Sequence, residues 1–504
     1  MTDSIGRRSD PAFRRTTADV AMTVGWRRLG HRCSGVVPTG GTGCAACYRN
    51  KFAGAGDAAG SFCLAMGCED NGRSHEWRYA PYRTGLGALQ RGQGSAVAWL
   101  QGQPDHGHMV YTCTARDTRW DWQVDDRYTY LARLLHDLRL DPAPLVAQLR
   151  ACGPYRPWPQ TDPTDDDNQF NLAVGVLEAL ARKGNTQAHE TLRGYVRDGV
   201  RWIDALTTLA SSWPTEWWDD LWEIAATRIR PEDVAEILPT SAPWLRWWGR
   251  DPRIDSVLNA AQRSRKDAHG RRVDLSSTSD AELIALLQAP DTGRAVKVTA
   301  LHQIRRRARP VPELLDAVEQ LAAERQAGLF GALRVLGPQV LPVARGWAAD
   351  PEHPLFDAAA HLLAEHGEEQ DIPSILAALD RLTDEWCGHD RLTEGLARIL
   401  TRSPSVSQAD LRTTVIRRLR RLTIASPHSY ERRSYLHSLL LLDPDRTTAV
   451  LPSCLLDCEP DVRLLAAQHT PLTDQTRRWQ LALRDDPVEE ASVRQAAAAR
   501  LTGD

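Results

Sequence analysis

The sequence predicts an all-α fold of short antiparallel helices stacked in pairs, and three observations predict it. From about Trp120 onward, apolar residues recur at three- and four-residue steps, the spacing that aligns side chains along one helical face. Gly, Pro or Asn closes each run after a few turns, so the connections are short. Alternating runs of strand type and comparable length are absent.

Composition bounds the function classes. The 504 residues are 42% hydrophobic and 25% charged, which supplies a core and argues against global disorder. The apolar run LHSLLLLD near 436 falls far short of a membrane span, so no membrane contact is expected. The opening stretch MTDSIGRRSDPAFRRTTADVAMTVGW lacks the apolar core of a signal peptide. A cytoplasmic protein with mostly reduced cysteines is therefore the expectation. Net charge is −3, but residues 1–108 hold 13 Lys and Arg against 8 Asp and Glu, which leaves 49 against 57 in the remainder. An acidic body has no general attraction for nucleic acid.

Residues 1–108 stand apart. They hold 18 of the 34 glycines and 5 of the 10 cysteines without a sustained period, and read as an irregular leader that buries too little apolar surface to offset its ordering entropy. A start site annotated too far upstream, with Met109 as initiator, is the other reading. Within this leader Cys44-x2-Cys47 and Cys63-x4-Cys68 approach a four-thiolate zinc spacing. The second gap is wide, and Cys33, His31 and His75 compete as ligands, so no metal and no cofactor is assigned. The pair in HGH at 106–108 lacks a third ligand. GGTGCAA has no strand before it and no βαβ context after it, and neither a Gly-x-Ser-x-Gly elbow nor a P-loop lysine occurs.

The helical body begins with a region over 109–261. VDDRYTYLARLLHDLRLD sets Tyr128, Leu131, Leu134, Leu135 and Leu138 on one stripe, followed by DPAPLVAQLRACG, DNQFNLAVGVLEALARKGN and TQAHETLRGYVRDGV. Residues 262–280 are charged and aperiodic and read as a linker. Ser279 followed by Glu282 then matches a capping box, which opens a second region over 281–504. There DTGRAVKVTALHQI, DPEHPLFDAAAHLLAEHG, DCEPDVRLLAAQH and DDPVEEASVRQAAAARL share an acid, a short loop, an apolar residue and small alanines. Val296, Phe356, Val462 and Val493 are separated by 60, 106 and 31 residues, near multiples of about 30 to 35. Such spacing suits helix pairs stacked in a solenoid, each covering its neighbour's apolar face.

These segments resemble HEAT repeats, and DDPVEEASVRQAAAARL is similar to the loop and second helix of one such unit. The likeness extends over about 281–502, and more loosely over 120–260, to HEAT-type proteins frequent in high-GC bacteria. It implies an armadillo-type α-solenoid that binds a protein partner as a scaffold, with no enzymatic activity; it names no catalytic residue.

One stretch tests that implication. In SSWPTEWWDDLWE, Pro214 suits a first turn, Trp218, Leu221, Trp222, Ala225 and Ile229 form an apolar stripe, and Glu216, Asp219, Asp220 and Glu223 oppose it. Core packing on an amphipathic helix is the favoured reading. The alternative comes from DNA-repair glycosylases for alkylated bases, which also use HEAT-like helices and set an aromatic side chain and an aspartate at the lesion. Trp217 beside Asp219 or Asp220, with Trp247 in WLRWWGRDPR, imitates that set and could stack on bases. The candidate binding residues are completed by Arg305, Arg306 and Arg307, and by Arg417, Arg418 and Arg421. Successive helices could line these arginines along a concave side that binds acidic peptide or nucleic acid, although a solvated face is the plainer reading.

Overall fold

The computed structural model describes residues 80–115, 126–154, 166–270, 273–382, 388–402 and 409–503. Every regular element among the described residues is a helix, and no strand occurs there. They gather into two compact units, one of residues 190–265 and one of residues 80–152, 166–189 and 266–503.

The larger unit opens with α1 (Gly85–Gln90), α2 (Ser95–Gln101), α3 (His106–Ala115), α4 (Arg127–Asp137), α5 (Ala143–Ala151) and α6 (Asp166–Arg182). Helices over 85–108 correct the irregular chain expected there; residues 1–79 lie outside the described residues. The glycines that suggested disorder serve close contact instead. Gly92 sits at φ +66, where a Cβ would come within 2.3 Å of Cys458 Sγ, and a Cβ on Gly94 would meet the Ser453 carbonyl at 1.8 Å. Cys458 N donates to Gly92 O at 2.8 Å, which ties this turn to a segment near the other end of the chain.

Charged groups hold the same meeting together. Arg91 Nε donates to Ala425 O at 2.9 Å, and Gln93 Nε2 to Ile424 O at 2.8 Å. On α4, Arg133 pairs with Asp486 at 2.8 Å and Glu489 at 2.9 Å, while Lys183 reaches Asp486 at 3.0 Å. The fully buried Arg463 pairs with Glu489 at 2.7 Å and Asp126 at 3.4 Å. Ions withdrawn from water this far require several close partners, and these have them. The helices before residue 190 therefore belong with the last helices of the chain, not with 190–265 as two successive regions would have it.

The smaller unit takes most of α7 (Thr186–Asp198), then α8 (Trp202–Ser212), 3-10 turns at Thr215–Trp217 and Asp219–Leu221, α9 (Trp222–Arg228), α10 (Ala242–Arg246) and α11 (Pro252–Gly270). Helix α11 continues into the stretch expected as a linker.

The larger unit resumes at α12 (Asp280–Gln288), started by the expected capping box: Ser279 Oγ accepts from Glu282 N at 3.3 Å and Glu282 Oε2 accepts from Ser279 N at 2.7 Å. Helices α13 (Arg294–Arg307), α14 (Val318–Ala323), α15 (Leu329–Arg334), α16 (Leu341–Ala348), α17 (Phe356–His366) and α18 (Ile372–Arg381) follow. The chain ends with α19 (His389–Arg402), α20 (Ala409–Ala425), α21 (Arg432–Leu442), α22 (Pro444–Thr448), α23 (Leu451–Cys454), α24 (Pro460–His469), α25 (Asp474–Asp485) and α26 (Ala491–Thr502). Helices α16 and α17 pack together, as do α18 and α19, α20 and α21, α23 and α24, and α25 and α26. In addition α17, α19, α21, α24 and α26 each lie against the next of that set. Phe356, Val462 and Val493, which anchor the internal similarity, are buried near the starts of α17, α24 and α26. One apolar core runs from Leu275 to Leu442 and a second from Leu436 to Ala497. The small Ala466, Ala467 and Ala497 are fully buried where these helices meet.

Candidate functional site

The tryptophan-rich stretch departs from the single amphipathic helix expected. Two 3-10 turns precede α9, because Trp218, at φ −141 and ψ −15, lies outside helical geometry. The break has a physical reason. Side chains one residue apart on a regular helix point about 100° apart, yet Trp218 and Asp219 both converge on Trp247, one against its ring at 5.8 Å and the other at its Nε1 at 2.8 Å. The inward stripe survives the break: Trp218, Leu221, Ala225 and Ile229 are buried, and Trp222 is half-buried.

Trp247 is the hub of this packing. It is fully buried, with edge-on contacts to Trp218, to Trp222 at 5.3 Å and to Trp244 at 5.8 Å; Trp244 in turn meets Trp202 at 6.3 Å. Such pairs add to the area they bury. Trp217, half-buried, packs edge-on against Trp213 at 5.6 Å. Asp219 accepts from Trp247 Nε1 and pairs with Arg246 Nε at 3.1 Å. Partial burial works against its ionisation, but the bonds from Arg246 and Trp247 outweigh it and hold the carboxyl below its usual range. Arg193 clamps Asp220 at 2.6 Å and lowers its pKa in the same way, while also donating to the Trp217 carbonyl. The structure thus gathers Trp217, Asp219, Asp220 and Trp247 into one unit, with both acids ionised and engaged. An acid in this state is a poor base, since abstracting a proton would break the pair that holds it.

The arginines belong to the larger unit, and several bind backbone. Arg418 Nη2 donates to Leu382 O at 3.1 Å and Leu379 O at 3.3 Å, at the end of α18. Arg307 pairs with Asp280 and donates to Thr278 O. Arg305 is half-buried on α13, Arg306 is exposed, and Arg417 and Arg421 are exposed on α20. The role of Arg418 recurs elsewhere. Arg398 donates to Ala364 O at 3.0 Å and Gly367 O at 3.1 Å, Arg412 to Leu442 O at 2.6 Å, and Arg500 to Thr470 O at 3.3 Å. In the smaller unit Arg228 reaches Val196 O at 2.6 Å and Gly199 O at 2.8 Å. Each guanidinium meets the unpaired carbonyls and negative dipole end of a neighbouring helix.

A further cluster escapes sequence reasoning. Glu431 accepts from Tyr435 Oη at 2.5 Å and from Gly388 N, and His389 Nδ1 stands 3.7 Å from it. Burial opposes ionisation of Glu431, but His389 and His428 outweigh it and bring the carboxyl down to about 2. Burial and the charge of Glu431 push Asp390 up to about 7. Burial depresses His361, on α17, to about 3. Two carboxyls with affinities driven this far apart leave Glu431 ionised and Asp390 partly protonated near neutrality. GHD at 388–390 and HSYE at 428–431 were the available signal, but nothing local pairs segments about 40 residues apart.

Among the described residues no group of three or more His, Cys, Asp or Glu side chains is placed to hold a metal, and no helix is long and apolar enough to cross a membrane. Cys44, Cys47, Cys63 and Cys68 lie outside the described residues. No family model, curated protein or solved structure matches the chain.

Proposed function

We propose that the chain is a non-enzymatic α-solenoid scaffold of HEAT-like helix pairs that binds a protein partner through its helical surface. The observation that carries this reading is the succession α17, α19, α21, α24, α26, each packed on the next in chain order, with the repeated sequence pattern at the starts of α17, α24 and α26. Stacking of this kind extends a surface unit by unit instead of closing around one pocket. The capping arginines support the same reading, because they tie several helix ends to a neighbouring helix.

Base repair is the second reading, and it asks for an acid able to act beside Trp217. Asp219 and Asp220 are instead paired with Arg246 and Arg193. Affinity purification of the tagged full chain, with and without nuclease, followed by reconstitution from purified components, separates the two. A stoichiometric, nuclease-insensitive complex is expected. Recovery of nucleic acid alone, lost on nuclease treatment, would overturn the scaffold reading.

A further inference from the structure

Most apolar side chains of residues 190–265 face inward, but two on one turn do not. Leu245 and Trp248 remain 47% and 41% exposed. Three residues apart, they share one side of the chain at α10. Their neighbours Trp244 and Trp247 are fully buried, so the backbone that carries the exposed pair is anchored from beneath. The turn beyond is fixed as well: Gly249, at φ +86, donates its N–H to Asp255 at 2.8 Å, and Arg253 Nη2 donates to Ala226 O at 2.9 Å. An exposed tryptophan held this rigidly costs little conformational entropy when it is covered.

Charge selects the occupant. Arg246 lies between the two apolar residues in the chain and Arg250 two residues beyond them, with side chains 50% and 41% exposed, and Asp219 is the carboxylate they share. Arg246 makes the close contact; Arg250 stands 3.8 Å from the same group, beyond hydrogen-bond reach, with its guanidinium 5.8 Å from the Trp222 ring centre. Its side chain makes no hydrogen bond among the described residues, so its donors are available to an incoming acceptor. Two arginines on one aspartate leave a single positive charge in excess beside an apolar step. A polyanion is a poor match, because the exposed Glu216, Asp220 and Glu223 lie on the turns that carry Asp219 and its continuation into α9. One carboxylate beside one apolar side chain is a good match.

We propose that Leu245, Trp248, Arg246 and Arg250 form a docking surface for a short acidic segment of a partner protein, an apolar residue covering Trp248 and a neighbouring Asp or Glu bridging Arg250. This rests on the scaffold reading and gives it a place and a partner chemistry. The test pans a displayed library of random short peptides against the full chain, then measures the recovered peptides by fluorescence anisotropy. Expected are sequences enriched in Asp or Glu beside Leu, Ile or Phe, with affinity lowered about tenfold or more by Trp248→Ala and by Arg250→Glu, and no binding of oligothymidylate. Arg250→Glu shifts the selected sequences toward basic residues. The surface is overturned by recovered peptides without acidic enrichment, by affinities that both variants leave intact, or by tighter binding of oligothymidylate. A purified partner complex that tolerates both variants removes this surface and leaves the scaffold reading standing, whereas failure of that reading shows as no protein complex at all. Both positions are exposed, so unchanged far-ultraviolet circular dichroism and an unchanged thermal midpoint verify that the variants fold.

Discussion

Residues 190–265 and the helix pairs from Asp280 to Thr502 are both all-helical, yet different materials hold them. The first region carries eight of the 17 tryptophans and the second carries three, though the second is about three times as long. Its stability is accordingly concentrated in a few large side chains meeting at Trp247, where successive residues leave helical geometry to reach one ring. The helix pairs distribute theirs over many aliphatic and alanine contacts, with an arginine on the end of a neighbouring helix at several junctions. Concentrated packing tolerates irregular backbone; distributed packing demands a period.

The largest effects should come from breaking each material at its densest point. Trp247→Ala removes the hub and leaves Arg246 and Asp219 without their brace; a loss of about 3–5 kcal/mol is expected from denaturant unfolding, while Trp247→Phe recovers part of it. In the larger unit Arg463→Ala leaves Glu489 buried without its main partner, at a cost of about 3–5 kcal/mol, and replacing both residues by apolar ones of similar volume restores most of the loss. If hydrogen exchange after Trp247→Ala rose equally throughout 280–502, the contrast between concentrated and distributed packing would collapse.

Caps should cost less. Arg398→Ala strips two carbonyls at the end of α17 of their donor, for about 1–3 kcal/mol, and Ser279→Ala loses the box before α12, for about 1 kcal/mol; thermal unfolding of both variants checks the order. Equal losses would mean that the arginine contacts hold nothing beyond the helix they touch.

The same contrast explains what the sequence made legible. Helix class, the Ser279 cap, the repeated starts at Phe356, Val462 and Val493 and the inward stripe Trp218, Leu221, Ala225 and Ile229 all follow from spacing along one helix. The 3-10 turns do not, because they arise from Trp247 approaching from 28 residues away. Glycine content at 85–108 misled for a similar reason: Gly92 reports contact with Cys458, which composition cannot express. Arg418 read as part of a solvated face, or as one of the arginines lining a binding groove, yet its partners are carbonyls on a different helix, invisible to any local pattern. The pairing of Asp390 with Glu431 was out of reach on the same account.

For the wild-type chain the remaining contrast is the dependence of stability on pH, and it too divides the two regions. In 190–265 the shifted acids, Asp219, Asp220 and Asp251, have lowered pKa values, so their contribution is present at neutral pH and lost only as pH falls below the carboxylate range. In the helix pairs two groups oppose one another at higher pH. His361, at about 3 when folded and 6.5 ordinarily, is protonated more readily in the unfolded chain, so stability is lost as pH falls below 6.5. Asp390, at about 7 when folded and 3.8 ordinarily, is protonated more readily in the folded chain, so its contribution falls as pH rises from about 4 to 7. In the wild-type chain these two contributions oppose one another, added to the loss with rising pH that the raised carboxyls of Asp357, Asp457 and Glu490 bring. Relative to the wild-type urea midpoints, those of Asp390→Asn should tilt upward with pH and those of His361→Gln downward. Parallel curves for all three proteins would show that neither side chain keeps a perturbed proton affinity in the folded chain, and the cluster around Glu431 would then be plain packing.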